Sequence, residues 1–349
     1  MSEARIRSRS TLQDVARRAG VSPSTASSAL AGNQEHRRIS EETCQRVLDA
    51  ARALLYTPNL LHRSIRRGRT QIISVFNAFR RRDRNDLYLD RLTGAIEEAG
   101  GELGYNVLVH TNYKQSLEDI YESLTGGFSD GLVLFGSTAD DPLIALLKES
   151  TLPTVLVAPR QADGAFLNVV DDVDMGMRLV AEALVAQGHR QIAAITGRTE
   201  IAPDPTGRIG RLRQELARLN VSLADDFVLP FYNDVEDAAR RFLELKPRPT
   251  ALFVWHDGNA YRLLEAFESL GLSIPDDLSI IGYDGIVWPS KSSHVIASVA
   301  VPIDQMALAG VRMLDGLILG DGSSINQITP VSFHPGTTLG PPPAYPSLQ

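Results

Sequence analysis

Two patterns of apolar residues divide this chain. Near its start they recur at helical spacing in three short runs. In TLQDVARRAG, residues 11–20, Leu12, Val15, Ala16 and Ala19 share one face; Thr11 stands in the N-cap position, Asp14 follows three residues on, and Gly20 closes the run. After Val21 the chain restarts with Ser22-Pro23, an N-cap followed by proline at the first helical position, and runs to Gly32. A third helix is expected from Ser40, with Cys44, Val47, Leu48, Ala51 and Leu54 on its apolar face, until Thr57-Pro58 stops it. Residues 1–57 therefore read as a small all-α unit whose first two helices meet at a tight turn. Residues 58–69 form a linker between Pro58 and Gly68, and a helix of about ten residues is marginal in water on its own.

From Thr70 the pattern changes. IISVF, NVLVH, GLVLF, TVLVA, QIAAIT, ALFVW and SIIGYD are short apolar runs rich in branched residues, and helical patterns such as YLDRLTGAIEEAGGELG, MGMRLVAEALVAQG, GRIGRLRQELARLN and NAYRLLEAFESLG separate them. Strand–helix alternation sustained over this length predicts parallel sheets with helices on both faces, and Gly104, Gly188 and Gly271 mark helix ends. A Pro-rich tail, residues 341–349, ends the chain.

Composition narrows the class. At 349 residues the chain exceeds one compact core, so two or three domains are the starting expectation. No apolar run spans a bilayer, and the basic start SEARIRSRS leads into helix signals and not into an apolar segment, so the expected location is the cytoplasm. The lone Cys44 has no partner for a disulfide and no metal-ligand spacing around it; it reads as a small buried hydrophobe, and no cofactor or metal is expected. Charge is uneven: residues 1–69 carry thirteen Arg against six acids, a net of +7, which leaves −14 of the overall −7 on the rest. A basic head on an acidic body suits a nucleic-acid partner, although a charge run alone is as well explained by a solvated face.

The stretch TLQDVARRAGVSPSTASSALAG, followed by RISEETCQRVLDAARALLYTPNLLHRSIRRGRT, resembles the headpiece and hinge of the lactose-repressor (LacI/GalR) family over its whole length. The resemblance implies a helix-turn-helix whose second helix lies in the major groove, with Thr11, Leu12, Ser22, Pro23, Ser24, Thr25, Ser27 and Ser28 on the DNA side. Ser28 stands where the family usually has an arginine able to bind guanine through two hydrogen bonds, so base preference there is open. In the linker the resemblance implies a hinge helix that enters the minor groove, with Ile65 as an apolar wedge and Asn59, Arg63 and Arg66 reaching groove edges or phosphates.

The body resembles the same family's sensor, which is similar to periplasmic sugar-binding proteins, through GHRQIAAITG, the helix carrying Arg208, PTALFVWHDGNA and LGLSIPDDLSIIGYDG. Two lobes are implied within residues 70–340: one of about 70–160 and 300–328, the other of about 161–296 and 329–340. Ligands in such sheets bind beyond the carboxyl ends of the strands, where Asp257 follows ALFVWH and Asp284 closes SIIGYD. By resemblance Arg208, Asp257 and Asp284 hold an effector, the arginine donating and the carboxylates accepting. Asn77, Phe79, Tyr232 and Trp288 fall in segments that would line the cleft. His256, where the family has asparagine, is either a ligand contact or a helix cap. Gly285 and the segment Ala158-Pro159-Arg160 also depart from the usual pattern.

The function expected is a sequence-specific, DNA-binding transcription regulator, a repressor by its relatives' example, acting as a homodimer on a palindromic operator under control of a small, sugar-like effector. A transport-type binding protein is set aside by the headpiece and the start of the chain. An enzyme is set aside because no nucleophile elbow, metal cluster, phosphate loop or dinucleotide fingerprint is visible. A regulator whose effector is a nucleoside or a partner protein, or one that has lost its ligand response, stays open.

Overall fold

The computed structural model describes residues 10–30, 39–57, 64, 68–78, 86–110, 114–159, 164–197, 207–231, 234–322 and 325–343. Asn59, Arg63, Ile65, Arg66, Phe79 and Tyr232, and with them most of the hinge, lie outside the described residues. The chain forms two compact units, divided between Gln71 and Ile72.

In the first unit, α1 (Leu12–Ala19), α2 (Pro23–Leu30) and α3 (Glu41–Ala53) pack around Val15, Ala16, Ala19, Ala26, Ala29, Cys44, Val47, Ala50 and Ala51. Thr11 and Asp14 make a reciprocal capping box at the start of α1. Gly20 ends the helix at φ 67°, its N–H bonding back to Ala16 and Arg17 carbonyls, which turns the chain sharply into α2. Ser40 caps α3. Leu48, expected on the buried face of α3, is 36% exposed, and Ala50 takes a buried place there. The core is built mainly from small side chains, so its helices approach closely and its buried stripe does not follow the large residues.

In the second unit, one sheet comprises β1 (Ile72–Asn77), β2 (Asn106–Val109), β3 (Gly131–Phe135), β4 (Thr154–Val157), β5 (Leu167–Asp171) and β11 (Gln327–Thr329), in the order β11-β5-β4-β3-β1-β2 with every neighbouring pair parallel. The other comprises β6 (Ile192–Thr196), β7 (Val228–Pro230), β8 (Ala251–Val254), β9 (Ser279–Asp284), β10 (Ala297–Ala300) and β12 (Ser332–His334), in the order β12-β10-β9-β8-β6-β7. Only β12 runs antiparallel to its neighbour. β3, β4, β6 and β8 are buried along their whole length, as strands covered by helices on both faces must be. Each fully buried Leu, Ile or Val there contributes about 1.5–3 kcal/mol.

The expected change of lobe near residue 160 falls later. β5 pairs with β4 through Val155–Leu167, Leu156–Asn168 and Val157–Val169, so it completes the first sheet, and the crossing comes after Asp171, where α7 (Val173–Gln187) begins. The second sheet likewise extends to Ala300, past the expected limit of 296. Helices α4 (Leu87–Glu102) and α11 (Ile303–Leu319) pack together against the first sheet, and α7 packs with α8 (Arg208–Arg218) against the second. Their buried residues merge into one core that runs from Ile73 and Val75 to Tyr283 and Val299. α9 (Val235–Glu244) and α10 (Asp257–Ser269) cover the other face of the second sheet. Among the described residues no helix is long and apolar enough to cross a membrane.

Candidate functional site

In the first unit the side chains expected to meet DNA do not all face outward. Thr11, Ser22, Pro23 and Ser24 are exposed, and Thr25 and Ser27 are half-buried. Ser22 caps α2: its Oγ accepts from the N–H of Thr25 at 3.1 Å and shares hydrogen bonds with the hydroxyls of Ser24 and Thr25. Leu12 is half-buried against the core. Ser28 departs from expectation: it is 4% exposed and its hydroxyl donates to the Ser24 carbonyl at 2.9 Å. With only alanines at 26 and 29, α2 sits close enough to its neighbours for the buried stripe to take in position 28. Arg17 and Arg18, which the motif reading left out, are exposed at the end of α1.

In the second unit the residues expected at the cleft gather where β8, β9 and the start of α8 meet. Arg208 is the first residue of α8. Its guanidinium donates to the Trp255 carbonyl at 2.5 Å, lies 3.7 Å from Asp284 Oδ1, and stands 3.7 Å over the Tyr283 ring. The Tyr283 hydroxyl donates to Asp171 Oδ2 at 2.5 Å, linking the end of β9 to the end of β5 in the other sheet. That reach depends on Gly176 in α7, where a Cβ would stand 2.8 Å from the phenol oxygen. Asp284 sits at φ 113°, a strained backbone for a residue with a side chain, of the kind that collects at functional sites.

Burial pushes the Asp284 carboxyl well above the ordinary range; Arg208 opposes this, and the carboxylates of Asp257, Asp171 and Asp86 reinforce it. Burial raises the Tyr88 phenol too, helped by Asp171 and Asp284. Asp86, the N-cap of α4, and Tyr88 and Asp171 therefore face the Arg208–Asp284 pair from the first sheet's side. None was singled out from sequence; Asp171 and Asp86 each carried one weak signal, a carboxylate ending a strand or capping a helix. Asn77, half-buried, ends β1 opposite Phe135 at the corresponding edge of the first sheet.

Asp257 has a different place from the one expected. It is 1% exposed, and its carboxylate accepts from Ile286 N–H and from the Ser298 hydroxyl, each at 2.7 Å. Gly282 leaves the room, since a Cβ there would fall 2.1 Å from Asp257 Oδ1. Burial pushes this carboxyl up to about 7. Asp257 thus fastens the loop after β9 and does not line open space. His256 resolves to the cap of α10: its Nδ1 accepts from Asn259 N–H at 3.2 Å, and burial, then Arg208 and Arg262, bring its pKa down to about 3.

Around His256 stand two tryptophans, Trp255 edge-on at 4.1 Å between ring centroids and Trp288 stacked at 6.2 Å. The loop carrying Trp288 is held to α10, with Glu265 accepting from Ser290 Oγ and Lys291 N–H and Glu268 from Ser292 Oγ. The indole nitrogens of Trp255 and Trp288 are buried and without a partner among the described residues. Such a group costs about 1–3 kcal/mol each unless something satisfies it.

A helix-turn-helix unit ahead of two parallel-sheet lobes, with an arginine–carboxylate cluster at the strand ends, defines a ligand-sensing DNA-binding regulator. Residues 11–59 match the family model of bacterial regulatory proteins, lacI family, and residues 181–339 match that of a periplasmic binding protein-like domain. The chain is 29% identical over 310 residues to the ribose operon repressor of Escherichia coli (strain K12), covering 87% of this chain and 92% of that protein. Among solved structures, the lac repressor dimer bound to operator and the anti-inducer ONPF superposes with a TM-score of 0.81 at 23% identity, over 95% of this chain and 100% of that one. The transcriptional regulator CelR–cellobiose complex does so with a TM-score of 0.67 at 23% identity, over the same shares. The chain belongs to the lacI family of bacterial regulatory proteins and is a transcription regulator with a helix-turn-helix DNA-binding domain and an effector-binding domain.

Proposed function

We propose that this regulator is a repressor which binds a palindromic operator as a homodimer inside the cell, and whose grip on DNA is set by a small carbohydrate effector held at the Arg208–Asp284 pair. The observation that carries the reading is that pair: a guanidinium fork and a carboxyl at the carboxyl ends of the second sheet's strands, faced by Asp171, Asp86 and Tyr88. Such a mixed set suits hydroxyl-rich ligands, because the arginine donates and the carboxylates accept. A relative named for the ribose operon and a fold neighbour complexed with cellobiose agree with this class. Binding and not catalysis is the role, since both oxygens of Asp257 are committed to protein donors.

On the DNA side, Thr11, Ser22, Pro23, Ser24, Thr25 and Ser27 contact the operator, and Asn59, Arg63 and Ile65 enter the minor groove. The test is operator binding by fluorescence anisotropy with and without D-ribose and cellobiose, in wild type and in Arg208→Ala and Asp284→Ala. Both variants are expected to lose at least tenfold of the effector's influence while still melting cooperatively. Loss of folding in both would make the pair scaffold and sink the reading, as would full retention of the response.

A further inference from the structure

α2, PSTASSAL, holds no arginine, lysine, asparagine, glutamine or carboxylate, the side chains that tell base edges apart by paired or directed hydrogen bonds. We infer that α2 reads the major groove through carbon, with the ring of Pro23 and the methyl of Thr25 set against the C5-methyl groups of thymine. The operator half-site is then chosen for thymines under α2 and has no guanine anchor there. The inference rests on the reading of α2 as the helix that enters the major groove, and goes beyond it in naming what the helix recognises.

The hydroxyls at this end of the helix discriminate poorly. Ser28 is 4% exposed and spends its proton on the Ser24 carbonyl at 2.9 Å. Ser22, Ser24 and Thr25 are bonded to one another: Ser22 Oγ lies 2.9 Å from Ser24 Oγ and 2.8 Å from Thr25 Oγ1, and it accepts from the Thr25 N–H at 3.1 Å. With one proton and two lone pairs, Ser22 Oγ must donate to one of these hydroxyls and accept from the other. Rotating the three hydroxyls reverses that sense without losing a bond. The cluster can therefore offer a donor or an acceptor at the same place, and it meets the amino group of adenine and the carbonyl oxygen of guanine alike.

What does discriminate is apolar. Pro23 is exposed at the first position of α2. Thr25 is half-buried with its hydroxyl turned to Ser22, which leaves the methyl as the branch without a polar partner. Both stand in the N-terminal turn, the part of a reading helix that meets base edges. The C5-methyl of thymine is the apolar group that a base pair presents in the major groove, and contact with it is specific because cytosine lacks it. α2 carries no charge, so phosphate contacts fall to groups outside it, of which Arg17 and Arg18 are exposed at the end of α1.

Sites are first selected by the full-length protein from a random duplex library, and affinity is then read by anisotropy on the selected duplex. Replacing thymine by uracil removes the methyl group alone. At one or more positions this should weaken binding about fourfold in one half-site and about fifteenfold in both, the worth of one and of two buried methyl groups. A G·C pair placed there should bind better with 5-methylcytosine than with cytosine. Pro23→Ala, and Thr25→Ser, which keeps the hydroxyl bonded to Ser22, should weaken the thymine duplex by up to about fifteenfold and still melt cooperatively. Each uracil effect should vanish in one of the two. Ser24→Arg supplies the missing fork, and selection with it should return guanine where wild type selects none, which marks the base pairs under α2. The inference is overturned if no uracil matters at the marked pairs or their neighbours, if its effect survives in both variants, or if 7-deazaguanine there weakens wild-type binding tenfold. With guanine still gained by Ser24→Arg, any of these results leaves α2 in the groove and removes only the methyl readout. If Ser24→Arg gains no guanine and neither Pro23→Ala nor Thr25→Ser changes operator affinity, α2 is not the reading helix, and the assignment of its residues to DNA falls with the inference.

Discussion

Replacing Asp257 by alanine removes the acceptor for two donors at once, the N–H of Ile286 and the hydroxyl of Ser298, each 2.7 Å from a carboxylate that is itself 1% exposed. Each such donor left without a partner costs about 1–3 kcal/mol, so Asp257→Ala should destabilise the second unit by about 2–6 kcal/mol. Asparagine should behave oppositely. It keeps one acceptor oxygen, offers an N–H that the Ser298 hydroxyl can accept, and carries no charge into the interior. Burial moves the Asp257 carboxyl from 3.8 to about 7, and at 1.36 kcal/mol per unit its ionisation above pH 7 costs up to about 4 kcal/mol.

The sign follows from linkage. A carboxyl with a raised folded pKa contributes its stability in full below the unfolded value of 3.8, and that contribution is lost as pH rises to about 7. Asp257→Asn should therefore match wild type near pH 4 and exceed it above pH 7. His256 acts in the other direction: its stability is present above 6.5 and is lost as pH falls from there towards about 3. In wild type the two slopes oppose each other between about pH 4 and 6.5, and the asparagine variant should unmask the histidine's loss on acidification. Urea unfolding at pH 4, 6 and 8, with effector titration at pH 8, measures all of this. Asp257→Asn unfolding as early as Asp257→Ala at pH 8, or keeping its stability while losing effector binding, would refute the scaffold role and return Asp257 to the ligand.

Ser28→Ala should leave operator affinity within about twofold, because among the described residues the buried hydroxyl bonds only to Ser24's carbonyl and alanine is the better helix former; a tenfold loss in an operator titration would place that hydroxyl on DNA. Gly176→Ala should lower stability by about 1–3 kcal/mol in denaturant melts, since its Cβ would press on the Tyr283 phenol at 2.8 Å and displace it from Asp171. Tyr283→Phe, which breaks the same bond without the clash, should cost less, and equal losses would mean that the hydrogen bond and not the contact is what Gly176 protects.

The central strands were legible because each is a run of branched apolar residues covered on both faces, a pattern that does not depend on distant parts of the chain. β5, β11 and β12 were not. LNVVD is a short run interrupted by Asn168 and ended by Asp171, while QIT and SFH are three-residue edge pieces with mostly exposed side chains, too short to show a period. Missing β5 put the crossing between lobes too early. At the site, Arg208 and Asp284 could be placed from their positions at element ends. Asp171 could not, because its bond to Tyr283 joins residues 112 apart and exists only once the two sheets lie edge to edge. Asp257 and Asp284 looked alike as carboxylates after buried strands; what separates them is Gly282, whose missing side chain lets Asp257 turn inward. The charge of the first unit was legible, but which small side chains it exposes was not, and Ser28 shows why: in a core of alanines, size does not tell inside from outside.

Arg208 links the cleft to the joint between the sheets. It holds the Trp255 carbonyl and Asp284, and it lies over Tyr283, whose hydroxyl is bonded to Asp171 across the two sheets. A ligand that draws on Arg208 and Asp284 must change the partners of groups already bonded to one another, so its binding energy depends on which arrangement of the sheets those groups favour. If the operator favours one arrangement, ligand and operator are coupled, and the coupling is the same free energy seen from either side. The effector sugar's affinity, measured by calorimetry with and without a saturating operator fragment, should change by the same factor as operator affinity with and without saturating sugar. A factor of about ten corresponds to 1.4 kcal/mol, within the usual range for such coupling. Unequal factors, once both titrations reach saturation, would mean that the sugar acts by changing the assembly of the protein and not the arrangement of its sheets.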